Sequence, residues 1–166
     1  MALSTISSEQ AKAKKKTIKN VNQVLDYMST NPDVTIRFHA SDMILHIHLD
    51  ASYLSAKSYK SRASGHLFLG YAPKDGKPIT LNGAIYTLCN ILKFVASSDS
   101  EAELGTTFMN VKEGRTIWLN LAELGHPKPP IPIHCDNATT SDIVNGTIKK
   151  QRSHSMEIQY FTSATR

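Results

Sequence analysis

Residues 43–50, Met-Ile-Leu-His-Ile-His-Leu-Asp, decide the fold because apolar and polar side chains alternate along them. An extended chain places alternate residues on opposite faces, so this segment is predicted to be a half-buried strand. One face is apolar and carries Leu45, Ile47 and Leu49. The other face carries Ile44, His46, His48 and, at the carboxyl end of the strand, Asp50.

The segments around this strand predict a mixed α/β sheet. Further strands are predicted at 65–71, 84–88 and 131–136, whereas 55–63 is polar and predicts a loop, and 89–96 is ambiguous between strand and helix. Helices are predicted at 10–29, 97–124, 137–145 and 152–161. The order β-β-β-α-β-α after the first helix favours a right-handed crossover through the long helix.

The helix over residues 97–124 is the most strongly marked element of the sequence. Ser97-Ser-Asp-Ser100 supplies N-cap residues, and Glu101 and Glu103 lie in the first turn, where the helix dipole favours anions. Trp118 is predicted to be a core residue, and Gly125 ends the helix. Gly114 leaves a kink or a break in the middle open.

Composition excludes several classes of protein. The chain has 166 residues, enough for one ordinary domain, and its two cysteines exclude a disulfide framework or a cysteine-rich zinc site. We expect no membrane-spanning segment and no secretory signal, and hence an intracellular location. Residues 1–24 hold five lysines against one glutamate, +4 of the net +5. Such a run of lysines is typical of a segment that binds a polyanion, and equally of the solvated start of a helix.

Two aspartates are the candidate chemical groups. Asp50 and Asp136 each end a predicted strand, and parallel neighbouring strands would bring them to one edge of the sheet. A carboxylate from the first turn of the long helix could join them. Clustered carboxylates repel one another and suit a hard cation such as Mg²⁺ or Mn²⁺. Taken singly, each aspartate is more simply a turn residue.

Four blocks of sequence together resemble the ribonuclease H segment of copia-type LTR-retrotransposon polyproteins, in order and at similar spacing, over about residues 40–160. They are His48-Leu-Asp-Ala-Ser-Tyr53, Arg62-Ala-Ser-Gly-His66, Ser97-Ser-Asp-Ser-Glu-Ala-Glu-Leu104 and His134-Cys-Asp-Asn137. The resemblance implies a ribonuclease H-like mixed sheet with flanking helices over residues 41–166. It implies that the basic helix within residues 1–40 is a remnant of the connection to the reverse transcriptase.

The resemblance also implies function and site residues. The activity would be metal-dependent hydrolysis of the RNA strand of RNA–DNA hybrids, with Mg²⁺ or Mn²⁺ held by catalytic Asp50, Glu103 and Asp136. Glu101 stays the alternative to Glu103, because residues two apart on a helix point about 200° apart and cannot both face the metal. Phosphate contacts are expected from Arg62, Lys15 and Lys16. The partners would be the hybrid and the remainder of the polyprotein, with no membrane.

The chain departs from the family pattern in three places. Leu49 stands where the family usually has Ser, and Glu157 stands where an Asp is common. The family's last strand and helix, with a fourth acidic residue, have no counterpart before Arg166. We therefore expect a C-terminally truncated domain, and a non-catalytic remnant that at most binds nucleic acid or a partner is the alternative function.

Two further hypotheses involve histidine and cysteine. His46, His48 and Asp50 share one strand face and could hold zinc, although surface histidines are far commoner. Cys89 and Cys135 are interpreted as buried small apolar residues. A nucleophile built from Cys135 and His134 is excluded because neighbours on a strand face opposite ways.

Overall fold

The computed structural model describes residues 2–74, 77–126 and 129–146. The chain divides into two compact units, Met1–Arg37 and Phe38–Arg166, whereas the sequence places the boundary after residue 40. The helix predicted at 152–161, together with Glu157, lies outside the described residues. No helix in the described ranges combines the length and the apolar character that crossing a bilayer requires.

The first unit contains helices α1, Ala2–Ser7, and α2, Lys15–Thr30, with a 3₁₀ turn at Gln10–Lys12 between them. The single helix predicted over 10–29 is therefore wrong in its first turn. The chain is extended at Lys14, and the Thr17 side chain accepts a hydrogen bond from the Lys14 amide at 3.1 Å. The Thr17 hydroxyl also donates to Glu9 at 2.7 Å, so this capping contact sets where α2 begins.

The second unit is built on a four-stranded mixed sheet in the order β3-β2-β1-β4. The strands are β1, Ile44–Ser52, β2, Arg62–Gly70, β3, Ala84–Ile91, and β4, Ile133–His134. Strands β1 and β2 pair antiparallel, as do β2 and β3, whereas β4 pairs parallel to β1. The predicted mixed α/β sheet is confirmed.

Pairing between strands corrects several predicted boundaries. Strand β1 continues two residues beyond Asp50, and β2 begins at Arg62, inside the predicted loop. Strand β3 runs to Ile91, so part of the ambiguous segment 89–96 is strand. Of the strand predicted at 131–136, only Ile133–His134 is a strand. Pro132, just before it, has no amide hydrogen to donate to a neighbouring strand.

Helix α3, Asp99–Glu123, packs across the sheet and runs through Gly114 without a break. A side chain at Gly114 would approach Ile47 Cδ1 to 2.6 Å, so the glycine permits close helix–sheet contact rather than a kink. The Ser98 hydroxyl caps α3 by accepting from the Glu101 amide at 3.2 Å. Trp118 is partly buried against the core and donates to the Pro129 carbonyl at 2.9 Å, and helix α4 covers Ala138–Val144.

The core lies between α3 and the apolar face of the sheet. One cluster of buried residues joins the central strands to the helix and contains Leu45, Ile47, Leu49, Leu67 and Leu121. A second lies towards β3 and contains Ala63, Leu88, Leu92, Ala96 and Ala102. The opposite face of β1 is not wholly solvated as its polar residues suggest, because His46 on that face is 1% exposed.

Candidate metal centre

Strand pairing sets the relative position of the two aspartates. Ile47 pairs with Ile133 and His48 with His134 in the parallel ladder. Asp50 and Asp136 each follow the last pair by two residues, just beyond the end of the β1–β4 ladder. Both side chains are exposed, at the edge of the sheet where β1 and β4 run out.

Helix α3 brings Glu103 to the same edge, where it is only 3% exposed. Its Oε1 accepts a hydrogen bond from the Ala51 amide at 2.9 Å, which ties the first turns of α3 to the end of β1. Its Oε2 accepts from the Cys135 thiol at 3.5 Å. Ligand atoms of Glu103, Cys135 and Asp136 all lie within 4.8 Å of one another. The structure thus groups Glu103 with Asp136 and leaves Asp50 beside that group.

The pKa of Glu103 is raised above its ordinary value, chiefly because burial penalises the charged form. The hydrogen bonds from Ala51 and Cys135 oppose this rise, whereas the negative charges of Asp136 and Asp50 add to it. A cation among these carboxylates would reverse the sign of the local field and favour the ionised form.

The donor chemistry of the group fits a hard divalent cation. Burial raises the pKa of Cys135 to about 11, so its sulfur is a thiol at neutral pH when no cation is bound. The carboxylates of Glu103 and Asp136, with Asp50 beside them, are then the effective donors, and Mg²⁺ and Mn²⁺ prefer such oxygens. Cys135 is not the plain apolar residue expected from sequence, since it is partly exposed and contacts Glu103.

Glu101, the alternative ligand, has a different partner. It is 1% exposed, and its Oε2 accepts from the Ser97 amide at 2.7 Å and from the Ser97 hydroxyl. Its side chain therefore holds the turn that precedes α3. Of the two glutamates, Glu103 is the one grouped with Asp136.

Asn137 links the end of β4 to the start of α3. Its amide nitrogen donates to Asp99 Oδ2 at 3.1 Å, while its Oδ1 accepts from the Thr140 amide at 3.1 Å and caps α4. Asparagine is a favoured N-cap residue, and the capping contact is local in the chain. The bond to Asp99 joins residues that are distant in the chain, and it holds the segment bearing Asp136 against the first turn of α3.

The zinc hypothesis for His46, His48 and Asp50 is wrong in this geometry. Both ring nitrogens of His46 are engaged, Nε2 with the Tyr71 carbonyl at 2.8 Å and Nδ1 with His134 Nε2 at 3.1 Å. His46 therefore has no nitrogen left for a metal. The pKa of His134 is lowered, first by burial and then by His46 and His48.

The expected phosphate-binding residues lie in different places. Arg62 lies within β2 and is 4% exposed, and its expected contact with phosphates stays a prediction. Lys15 and Lys16 are exposed in the first turn of α2, in the first unit. They remain available to a polyanion.

The chain was compared with protein-family models, with curated proteins and with solved structures, and none of the three comparisons found a match. Function therefore has to follow from the sequence blocks, the sheet topology and the geometry of this site.

Proposed function

We propose that the second unit is a ribonuclease H-like domain of copia-type retrotransposon descent that hydrolyses the RNA strand of RNA–DNA hybrids with Mg²⁺ or Mn²⁺. The observation that carries the proposal is the convergence of Glu103 and Asp136, with ligand atoms within 4.8 Å, beside Asp50. The three carboxylates come from three separate sequence blocks. The mixed sheet, with β4 parallel to β1, is compatible with this fold.

The carboxylates would have distinct tasks in binding the cation. Glu103 is buried and oriented by the Ala51 amide, so it would be the fixed ligand. Asp50 and Asp136 are exposed and would face both the cation and the scissile phosphate. A bound divalent ion would stabilise the charge that develops on phosphate oxygens and lower the pKa of a water molecule.

The proposed substrate is recognised mainly through its backbone. Lys15, Lys16 and Arg62 are the candidates for phosphate contacts, which would make binding weaken as salt rises. Choice of the RNA strand would depend on its 2′-hydroxyl groups. The remainder of a retrotransposon polyprotein is the second proposed partner.

The test is cleavage of a labelled RNA–DNA hybrid by the full chain in Mg²⁺ and in Mn²⁺. Asp50→Asn and Asp136→Asn should each lower the rate about 100-fold, because each removes a charged donor and keeps the side chain's shape. Asp33→Asn is the matched control, since Asp33 is exposed in the first unit. Equal rates for the wild type and the two site variants would remove the enzyme proposal. Binding of the hybrid without cleavage by the wild type would favour the non-catalytic remnant.

A further inference from the structure

A row of rings crosses the sheet on the face of β1 that carries the histidines. Phe68 of β2 stacks on His46 of β1 with ring centroids 5.1 Å apart, and His46 stacks on His134 of β4 at 5.4 Å. The interplanar angles are 15° and 16°, so the three rings are nearly parallel. His46 lies in the middle of the row and is 1% exposed.

The hydrogen-bond partners of His46 determine which nitrogens carry protons. The Tyr71 carbonyl can only accept, so His46 Nε2 must donate to it across 2.8 Å. In the neutral ring, Nδ1 is then an acceptor, and the nitrogen that faces it at 3.1 Å, His134 Nε2, must be the donor. A one-directional chain therefore runs from His134 through His46 to the Tyr71 backbone.

Space for His46 is provided by Gly70, the last residue of β2. A side chain at this position would approach His46 Cδ2 to 2.9 Å and Nε2 to 3.0 Å. Tyr71, whose carbonyl accepts the last hydrogen bond from His46, is fixed by a further bond, because its hydroxyl donates to the Ala40 carbonyl at 2.7 Å. The His46 ring is thus fixed on both sides before it meets His134.

Strand β4 has little backbone pairing to hold it in place. Its ladder with β1 has two residue pairs, supported by the Ile47 amide donating to the Pro132 carbonyl at 3.0 Å. A slip of one residue would turn His134 to the opposite face and displace the segment that follows it, which carries Asp136. The contact between the two histidines therefore adds a side-chain lock where the register is weakly specified.

We propose that His46 is a positioning residue, which holds β4 in register through His134 and thereby sets Asp136 beside Glu103 and Asp50. We call the effect of the His46–His134 contact on the register of β4 the register lock, and it depends on the geometry of this histidine pair alone. Its consequence for the cation depends on the proposed function of Asp136. The two parts can be measured separately.

The test compares two replacements of His134 in the full chain. His134→Gln retains a donor nitrogen near the position of Nε2, whereas His134→Leu has similar bulk and no donor. Hydrogen exchange of the Ile47 amide reports the pairing of β1 with β4, and the β2–β3 amides serve as an internal control. Titration with Mn²⁺ measures the affinity of the carboxylate group for the cation. Nitrogen NMR of the histidines shows which ring nitrogen carries the proton.

We expect His134→Leu to raise the exchange rate of the Ile47 amide about tenfold with unchanged β2–β3 amides, because opening is local. The same variant should bind Mn²⁺ about tenfold more weakly, as happens when a group that orients a ligand is lost. His134→Gln should recover most of both effects. A general loss of packing would instead affect both variants and every ladder.

Three results would overturn the register lock: unchanged Ile47 exchange in His134→Leu, no recovery in His134→Gln, or a wild-type NMR spectrum with the His134 proton on Nδ1. If the wild type fails to bind Mn²⁺ while the exchange results hold, the proposed function is wrong and the register lock stands. If Mn²⁺ binding in the wild type is strong and His134→Leu leaves it unchanged, the positioning of Asp136 by His46 is wrong.

Discussion

Replacing Glu103 with Gln should stabilise the metal-free protein at neutral pH and abolish its response to Mg²⁺. Glu103 is 3% exposed and is affected by the charges of Asp136 and Asp50, and its raised pKa means that the folded protein binds this proton more tightly than the unfolded chain does. A glutamine keeps an oxygen for the Ala51 amide and carries no charge. The substitution therefore removes a charge that burial and two carboxylates disfavour.

The pH dependence gives this prediction its sign and magnitude. Between the ordinary glutamate pKa of 4.5 and the raised pKa of the folded state, the folded protein binds more protons than the unfolded chain. The contribution of Glu103 to stability is therefore greatest below pH 4.5 and declines as pH rises through that window. For one proton the limiting slope is about 1.4 kcal/mol per pH unit. The Gln variant lacks this slope, so its advantage over the wild type should grow as pH rises from 4.5 through that window.

The assay is urea unfolding across this pH range, with and without Mg²⁺ or Mn²⁺. A cation at 100 times its dissociation constant should stabilise the wild type by about 2.7 kcal/mol and the Gln variant by far less. Two findings would refute the reasoning: a wild-type-like pH slope in the Gln variant, or equal stabilisation of both proteins by the cation. Asp33→Asn serves again as the control for the loss of a surface charge.

Three more predictions concern the elements around the site. Gly65→Ala should destabilise the fold by about 1–3 kcal/mol in urea unfolding, because the new Cβ would lie 1.7 Å from Asn110 Oδ1. That oxygen is buried and has no hydrogen-bond partner among the described residues. Unchanged stability would contradict this packing. Asn137→Ala should lower the free energy of unfolding by about 1 kcal/mol through the lost α4 cap, and should also weaken Mn²⁺ binding through the lost bond to Asp99. Asn137→Asp should keep the cap. Equal Mn²⁺ affinity in the wild type and both variants would argue against a link between the Asn137–Asp99 bond and the metal group. Alkylation of Cys135 by iodoacetamide, followed by peptide mass spectrometry, should be slow at pH 7 and accelerate towards pH 11, and a rate at pH 7 equal to that of an unstructured cysteine peptide would contradict a raised thiol pKa.

Local pattern was sufficient to predict two of the three elements that carry the site, β1 and α3. Alternation along residues 43–50 predicts β1, and the serines before Asp99 predict the start of α3, because strand periodicity and helix capping act between near neighbours in the chain. Sequence also indicated Asp50, Glu103 and Asp136 as candidates, and the structure groups two of them directly. The single helix predicted over 10–29 was wrong, because a capping contact decides where α2 begins.

What only the tertiary structure decided are the features made by residues far apart in sequence. The two-residue length of β4, the burial of His46, the contact of Cys135 with Glu103 and the separation of Glu101 from the metal group all depend on which strands and helices pack together. Periodicity specifies which face of a strand is apolar, but it does not specify which side chains cover the other face. The carboxylates come close together at the sheet edge only when β1 and β4 pair in one register and α3 packs on them, and this arrangement is a property of the whole fold.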